Sequence, residues 1–128
     1  MREILFRGKR DKKYNREQEW TYGVPYIDNE GDCIMADSAS KLVVQSETVG
    51  QYIGLTDKNG KKIFEGDIVK SKVHFIHGYK TAKGVIVYEY DGFKLLVNNE
   101  YKQITYYSLC KVIGNIHDNP ELLKGGAE

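Results

Sequence analysis

The side chains able to do chemistry are few in this 128-residue chain, and they are widely spaced. The histidines are His74, His77 and His117. On a continuous strand, His74 and His77 would point to opposite faces, which does not suit joint ligation of a metal. The cysteines, Cys33 and Cys110, have no second Cys or His at ligand spacing, so both are expected as free thiols packed as small hydrophobes. Glu65 and Asp67 flank Gly66, and Asp57 precedes Asn59-Gly60. Paired acids can act as general acid and base, but only in a cleft that separates their pKa values. Asp in such sequences accepts backbone N–H bonds within turns, and that account suffices here. The glycines fall in neither GxGxxG nor GxxxxGK[ST] order, and there is no GxSxG elbow. The sequence therefore leads to no catalytic residue, no metal site and no cofactor.

What remains is a binding chemistry. The chain holds ten tyrosines, four phenylalanines and one tryptophan. Tyr88, Tyr90, Tyr101 and Tyr107 cluster towards the C-terminal end, with Lys94 and Lys102 beside them. Tyrosines interleaved with lysines on a sheet can stack bases and meet phosphates, so these six residues form a candidate nucleic-acid face. Tyrosine also favours strands and fills protein interfaces. The overall charge of +1 provides no general attraction for nucleic acid, and the basic excess in the first thirteen residues suits a solvated turn. A protein partner, a second copy of the chain included, is therefore the preferred expectation over nucleic acid.

Such a face must be carried by strands. Arg2 to Phe6 reads as a first strand, and 9–18 as a charged loop. Trp20 to Ile27 alternates so that Trp20, Tyr22, Val24 and Tyr26 share one face, with Pro25 marking an edge or a bulge. Asp28-Asn29-Glu30-Gly31 is a turn, Asp32 to Ala36 a return strand, and Leu42 to Gln45 another. Asn59-Gly60 predicts a type I′ hairpin. Ile68 to Val73 and Lys83 to Tyr90 are strands, with Gly78 to Lys80 a loop between them. Asp91-Gly92 and Asn98-Asn99 are further hairpin turns, and Lys111 to His117 closes the series. About eight or nine short strands at this spacing predict an all-β fold, a small barrel or a sandwich of antiparallel strands. Helix is confined to a short C-terminal turn, where Asn119 caps and Pro120 takes the first helical position.

The expected organisation is one domain over 1–128. It has N-terminal strands and a loop over 1–46, a main barrel region over 47–123 and a frayed tail at 124–128. No run of about 18 apolar residues spans a bilayer, and Arg7, Lys9 and Arg10 interrupt any secretory h-region, so the expectation is a cytoplasmic protein without a membrane role.

Three blocks of the sequence resemble the YopX family, small proteins encoded mostly by bacteriophages and prophages. The first is Arg2-Glu3-Ile4-Leu5-Phe6-Arg7-Gly8 with Trp20-Thr21-Tyr22-Gly23. The second runs from Glu47 through Gly54-Leu55-Thr56-Asp57-Lys58-Asn59-Gly60 and Phe64-Glu65-Gly66-Asp67 to Val69. The third is Val112-Ile113-Gly114-Asn115-Ile116-His117-Asp118-Asn119-Pro120-Glu121-Leu122-Leu123. The resemblance implies an all-β, barrel-like fold and a phage or prophage origin. It supplies no catalytic or binding residues to carry over.

Overall fold

Turn chemistry and strand alternation account for nearly every element. The structure is a computed structural model that describes residues 3–11, 19–36, 41–76, 78–89, 92–102 and 110–123. Among these residues the strands are β1 (Phe6–Lys9), β2 (Trp20–Ile27), β3 (Cys33–Ala36), β4 (Lys41–Val43), β5 (Gly50–Thr56) and β6 (Lys62–Phe64). They continue with β7 (Asp67–Phe75), β8 (Gly78–Glu89), β9 (Gly92–Val97), β10 (Glu100–Lys102) and β11 (Lys111–Asn115). Two 3-10 turns, Ser46–Thr48 and Pro120–Leu123, are the helical elements described. The fold is all-β, and its antiparallel sheets are open among the described residues, so the closed barrel is not formed.

The chain divides into two compact units, Met1–Tyr52 and Ile53–Glu128. In the first, hydrogen-bonded neighbours run β4-β3-β2-β1-β5. Met35 and Val44 are buried there and close over Gly8, whose missing side chain gives them room. Pro25 pairs with Met35 of β3, beyond the point where Phe6↔Gly23 ends the β1 ladder. It thus lies in an edge-like stretch of β2, where a missing N–H does least harm.

In the second unit, the far half of β5 and β6 form a hairpin, and five strands follow in the order β10-β9-β8-β7-β11. Ile63 of β6 joins Val69, Ile86, Leu95, Val97 and Val112 of the five-stranded sheet in one buried cluster that includes Ala82 and Cys110. β7, β8 and β9 point alternate residues into this core, as a pleated strand demands.

Three local expectations are corrected. The first strand is not Arg2 to Phe6 but begins at Phe6 and includes Lys9, because Lys9 pairs with Trp20 and its ammonium lies 5.9 Å from that ring. Gly78 to Lys80 are strand, not loop, since the β7–β8 ladder continues to Phe75↔Gly78. The Asn59-Gly60 hairpin is not type I′. Only Gly60 has positive φ (81°), giving the longer loop in which a type I turn ends in a left-handed glycine. The type I′ pair is instead Asn98 and Asn99, with φ 51° and 65°, between the partners Val97 and Glu100.

The C-terminal turn forms as its residues predict, with the Leu122 N–H donating to the Asn119 carbonyl. Its seat is Gly114. A Cβ there would lie 2.6 Å from Asn119 Oδ1 and 2.9 Å from Leu122 Cδ1, so a larger residue would displace both side chains from their seat.

Candidate functional site

Directly opposite residues of an antiparallel pair share a face. The register therefore sorts the predicted tyrosine and lysine residues. Ile86↔Leu95↔Lys102 places Lys102 on the face that carries the core. Tyr88↔Phe93 lies on that same face, one row on, and Tyr88 stays 54% exposed. Its ring meets Phe93 edge-on, with centroids 5.1 Å apart. Val87↔Lys94 and Leu96↔Tyr101 fall on the opposite, outward face. So Tyr88 goes with Lys102, and Lys94 goes with Tyr101. Lys102 also holds Glu100 at 2.9 Å. Tyr90 and Tyr107 lie outside the described residues.

The acids act within the backbone. Asp67 is 1% exposed, and its Oδ2 accepts the Phe64 N–H at 2.8 Å, which closes the β6–β7 turn. Asp57 is also buried. Its Oδ1 accepts the N–H groups of Asn59 and Lys61, and its Oδ2 accepts that of Val112 at 2.9 Å. Burial alone would raise the Asp57 pKa, but these three donors and the Lys61 ammonium together hold it below the ordinary carboxylate value. An acid held ionised in this way is an acceptor and not a proton donor near neutral pH. His117 donates its backbone N–H to Asn115 Oδ1 in the turn after β11.

The thiols are quiet for the same physical reason. Burial raises the Cys33 pKa. Burial, with the nearby Asp57 charge, pushes the Cys110 thiol up to about 11. Cys33 borders an open cleft of the first unit, about 410 Å³, lined also by Asp11, Asp32, Gln45, Ser46 and Glu47. Of the described side chains singled out by the sequence, His117, Glu65 and Asp67 do not line this cleft, and His77 lies outside the described residues. Among the described residues no group of three or more His, Cys, Asp or Glu could hold a metal ion.

A surface that the C-terminal tyrosines did not suggest lies on β2. Tyr22, Val24 and Tyr26 are 46%, 55% and 41% exposed on one face, and Ile27 beside them is 65% exposed. β1 brings Arg7 opposite Tyr22 and Lys9 opposite Trp20. The Arg7 guanidinium lies 4.6 Å from the Trp20 ring centroid, a cation–π contact that fixes the indole. The alternation of β2 was legible in the sequence. The cations were not, because they come from a different strand.

The molecule is thus an all-β protein of two open antiparallel sheets whose most marked features are exposed strand faces. The chain belongs to the YopX family, whose model, described as YopX protein, matches residues 5–124. It is similar to the crystal structure of protein EF1440 from Enterococcus faecalis, at 26% identity and a TM-score of 0.58, covering 97% of this chain and 100% of that one. No curated protein matches the chain. Among the described residues no helix is long and apolar enough to cross a membrane.

Proposed function

We propose that this is a phage or prophage accessory protein that works without catalysis, by protein–protein contact, in the host cytoplasm. The observation that carries the proposal is the exposed run Tyr22, Val24, Tyr26 and Ile27 on β2. Tyrosine, tryptophan and arginine dominate the binding energy of protein interfaces, and the two aromatics bury a large area at small conformational cost. Here Trp20 is already ordered against the buried Arg7 guanidinium, which lowers the entropy lost when the β2 face associates. The partner is a second copy of the chain or a host or phage protein.

Sedimentation velocity across a wide concentration range tests the first partner. Mass that rises with concentration in the wild type, and stays monomeric in Tyr22→Lys/Tyr26→Lys, supports the face as a self-contact. A monomer at every concentration moves the contact to a heterologous partner. A double variant that binds every wild-type partner unchanged rejects the face.

A second reading is nucleic-acid binding that keeps only Lys94 and Tyr101 of the predicted set, since register puts Tyr88 and Lys102 on the opposite face. In its favour, Lys94 and Tyr101 share the outward face of the five-stranded sheet.

A further inference from the structure

The same register places a row of lysines on that outward face. On β7, Val69 and Ser71 are buried, while Lys70 and Lys72 between and beyond them are exposed. On β8, Ala82 and Ile86 point into the core, and Tyr79, Thr81 and Lys83 point outwards. On β11, Val112 points in and Lys111 out. The pairings Lys111↔Lys70 and Lys70↔Lys83 then set three lysines side by side across three strands. Adjacent strands lie about 4.8 Å apart, and like charges directly opposite one another destabilise a sheet. A sheet selected only for stability would alternate the sign of its charges here.

The surroundings extend the pattern. The next row holds Lys72 opposite Thr81, and the row after it holds Tyr79, 54% exposed. Rows on one face follow at about 7 Å. On the other side of the lysine row, Ile68 is fully buried, and the C-terminal turn seats Leu122 at Gly114, which pairs with Ile68. Lys83 anchors this turn by donating its ammonium to the Leu122 carbonyl at 2.9 Å. Glu121 sits in the turn, and among the described outward positions of the five strands only Glu89, at the far end of β8, is a carboxylate. Tyr101 (42% exposed) and Lys94 complete the face.

We propose that this outward face binds single-stranded nucleic acid. Phosphates lie on the Lys70, Lys111, Lys83 and Lys72 ammonium groups, and bases stack on Tyr79 and Tyr101. Stacking on exposed rings beside a lysine track tolerates any sequence, and ammonium–phosphate contacts make binding depend on salt. Because the whole chain carries only +1, the attraction is local to this face. The surface is distinct from the β2 face and goes beyond the protein-contact reading; it extends the second reading, whose Lys94 and Tyr101 lie on the same face, by adding the lysine row and Tyr79.

The test is fluorescence anisotropy with a labelled oligothymidylate of about 16 nucleotides, titrated with the full chain at several salt concentrations. The wild type is expected to bind with a log–log salt slope of about −2 to −3, the signature of three or four phosphate contacts on a single strand. Lys70→Glu/Lys111→Glu should weaken binding by about tenfold or more. Lys41→Glu/Lys58→Glu, with the same net charge but exposed lysines elsewhere, should stay within about twofold. Tyr79→Ala should weaken binding without changing the slope. Tyr22→Lys/Tyr26→Lys should leave it unchanged, so a failure of the protein-contact face is read separately. No wild-type binding at low salt, or equal losses in the two lysine pairs, overturns the proposal. So does heparin competing with the oligonucleotide equally well in wild type and Tyr79→Ala, since that marks a polyanion site without base stacking. Circular dichroism and thermal melts of each variant confirm that the comparison is made between folded proteins.

Discussion

Two turns in this protein are built on one plan, one in each unit. Asp28-Asn29-Glu30-Gly31 and Asp57-Lys58-Asn59-Gly60 both start at an aspartate and end at a left-handed glycine, with φ 85° at Gly31 and 81° at Gly60. In each, the Asp backbone N–H donates to the carbonyl four residues on, and the Gly N–H donates back to the Asp carbonyl. Each Oδ1 accepts the same two N–H groups, from Glu30 and Asp32 in the first turn and from Asn59 and Lys61 in the second. The second carboxylate oxygen separates them. That of Asp57 accepts the Val112 N–H, 55 residues away, while the Lys58 N–H donates to the Cys110 carbonyl. The Asp57 turn is therefore a clasp on the free edge of β11, and the Asp28 turn is a local reversal. Identical local grammar thus carries different structural weight, and burial decides which copy is a tertiary contact.

The largest expected effect follows from this. Asp57→Ala removes a charged acceptor and leaves the Val112 N–H buried without a partner, which should cost about 3 kcal/mol in urea denaturation. If that loss is no larger than for Asp28→Ala, the clasp is not a stabilising contact.

A pH series sharpens the same point. Asp57 has a folded pKa below its unfolded value, so its contribution is complete above the unfolded carboxylate range. It drains away as pH falls from about 4 through the folded value. In Asp57→Asn that part of the acid loss should vanish from the stability–pH curve. A wild-type and an Asn variant with parallel curves would contradict the assignment.

The glycines should behave as a matched pair. A Cβ at Gly31 or Gly60 meets nothing within 4 Å, so only the positive φ resists substitution. Gly31→Ala and Gly60→Ala should each cost about 1 kcal/mol, equal within error, measured by urea denaturation. Unequal losses would show that the two loops differ in more than the carboxylate. Smallest of all, Asp28→Ala should cost about 0.5–1 kcal/mol, the value of a partly exposed turn acceptor whose second oxygen has no tertiary partner among the described residues.

These turns also show how far the sequence reaches. Both Asp-x-x-Gly segments read as turns at once, because glycine and aspartate act through local backbone geometry. β2 read from alternation, β7, β8 and β11 from β-favouring runs between turns, and the C-terminal turn from Asn119-Pro120. The type I′ assignment at Asn59-Gly60 failed because loop length, set by where β5 and β6 pair, selects the turn. Faces were harder. Tyr88, Lys94, Tyr101 and Lys102 are adjacent along the chain, but register divides them two and two, and register is a tertiary property. The lysine row needed three strands in place. Lys70, Lys83 and Lys111 are separate exposed lysines in the sequence and become neighbours only in the sheet.

The burial of Cys110 provides an internal clock for the second unit. The thiol is completely enclosed and its pKa is raised, while Cys33 is half-buried in the other unit. A thiol reagent in excess will label Cys33 through small local motions and Cys110 only when the second core opens. The slower of the two labelling rates therefore reports the opening free energy of that core in native buffer. Adding oligonucleotide while that rate is followed shows whether a ligand on the outer face is felt by the core beneath it.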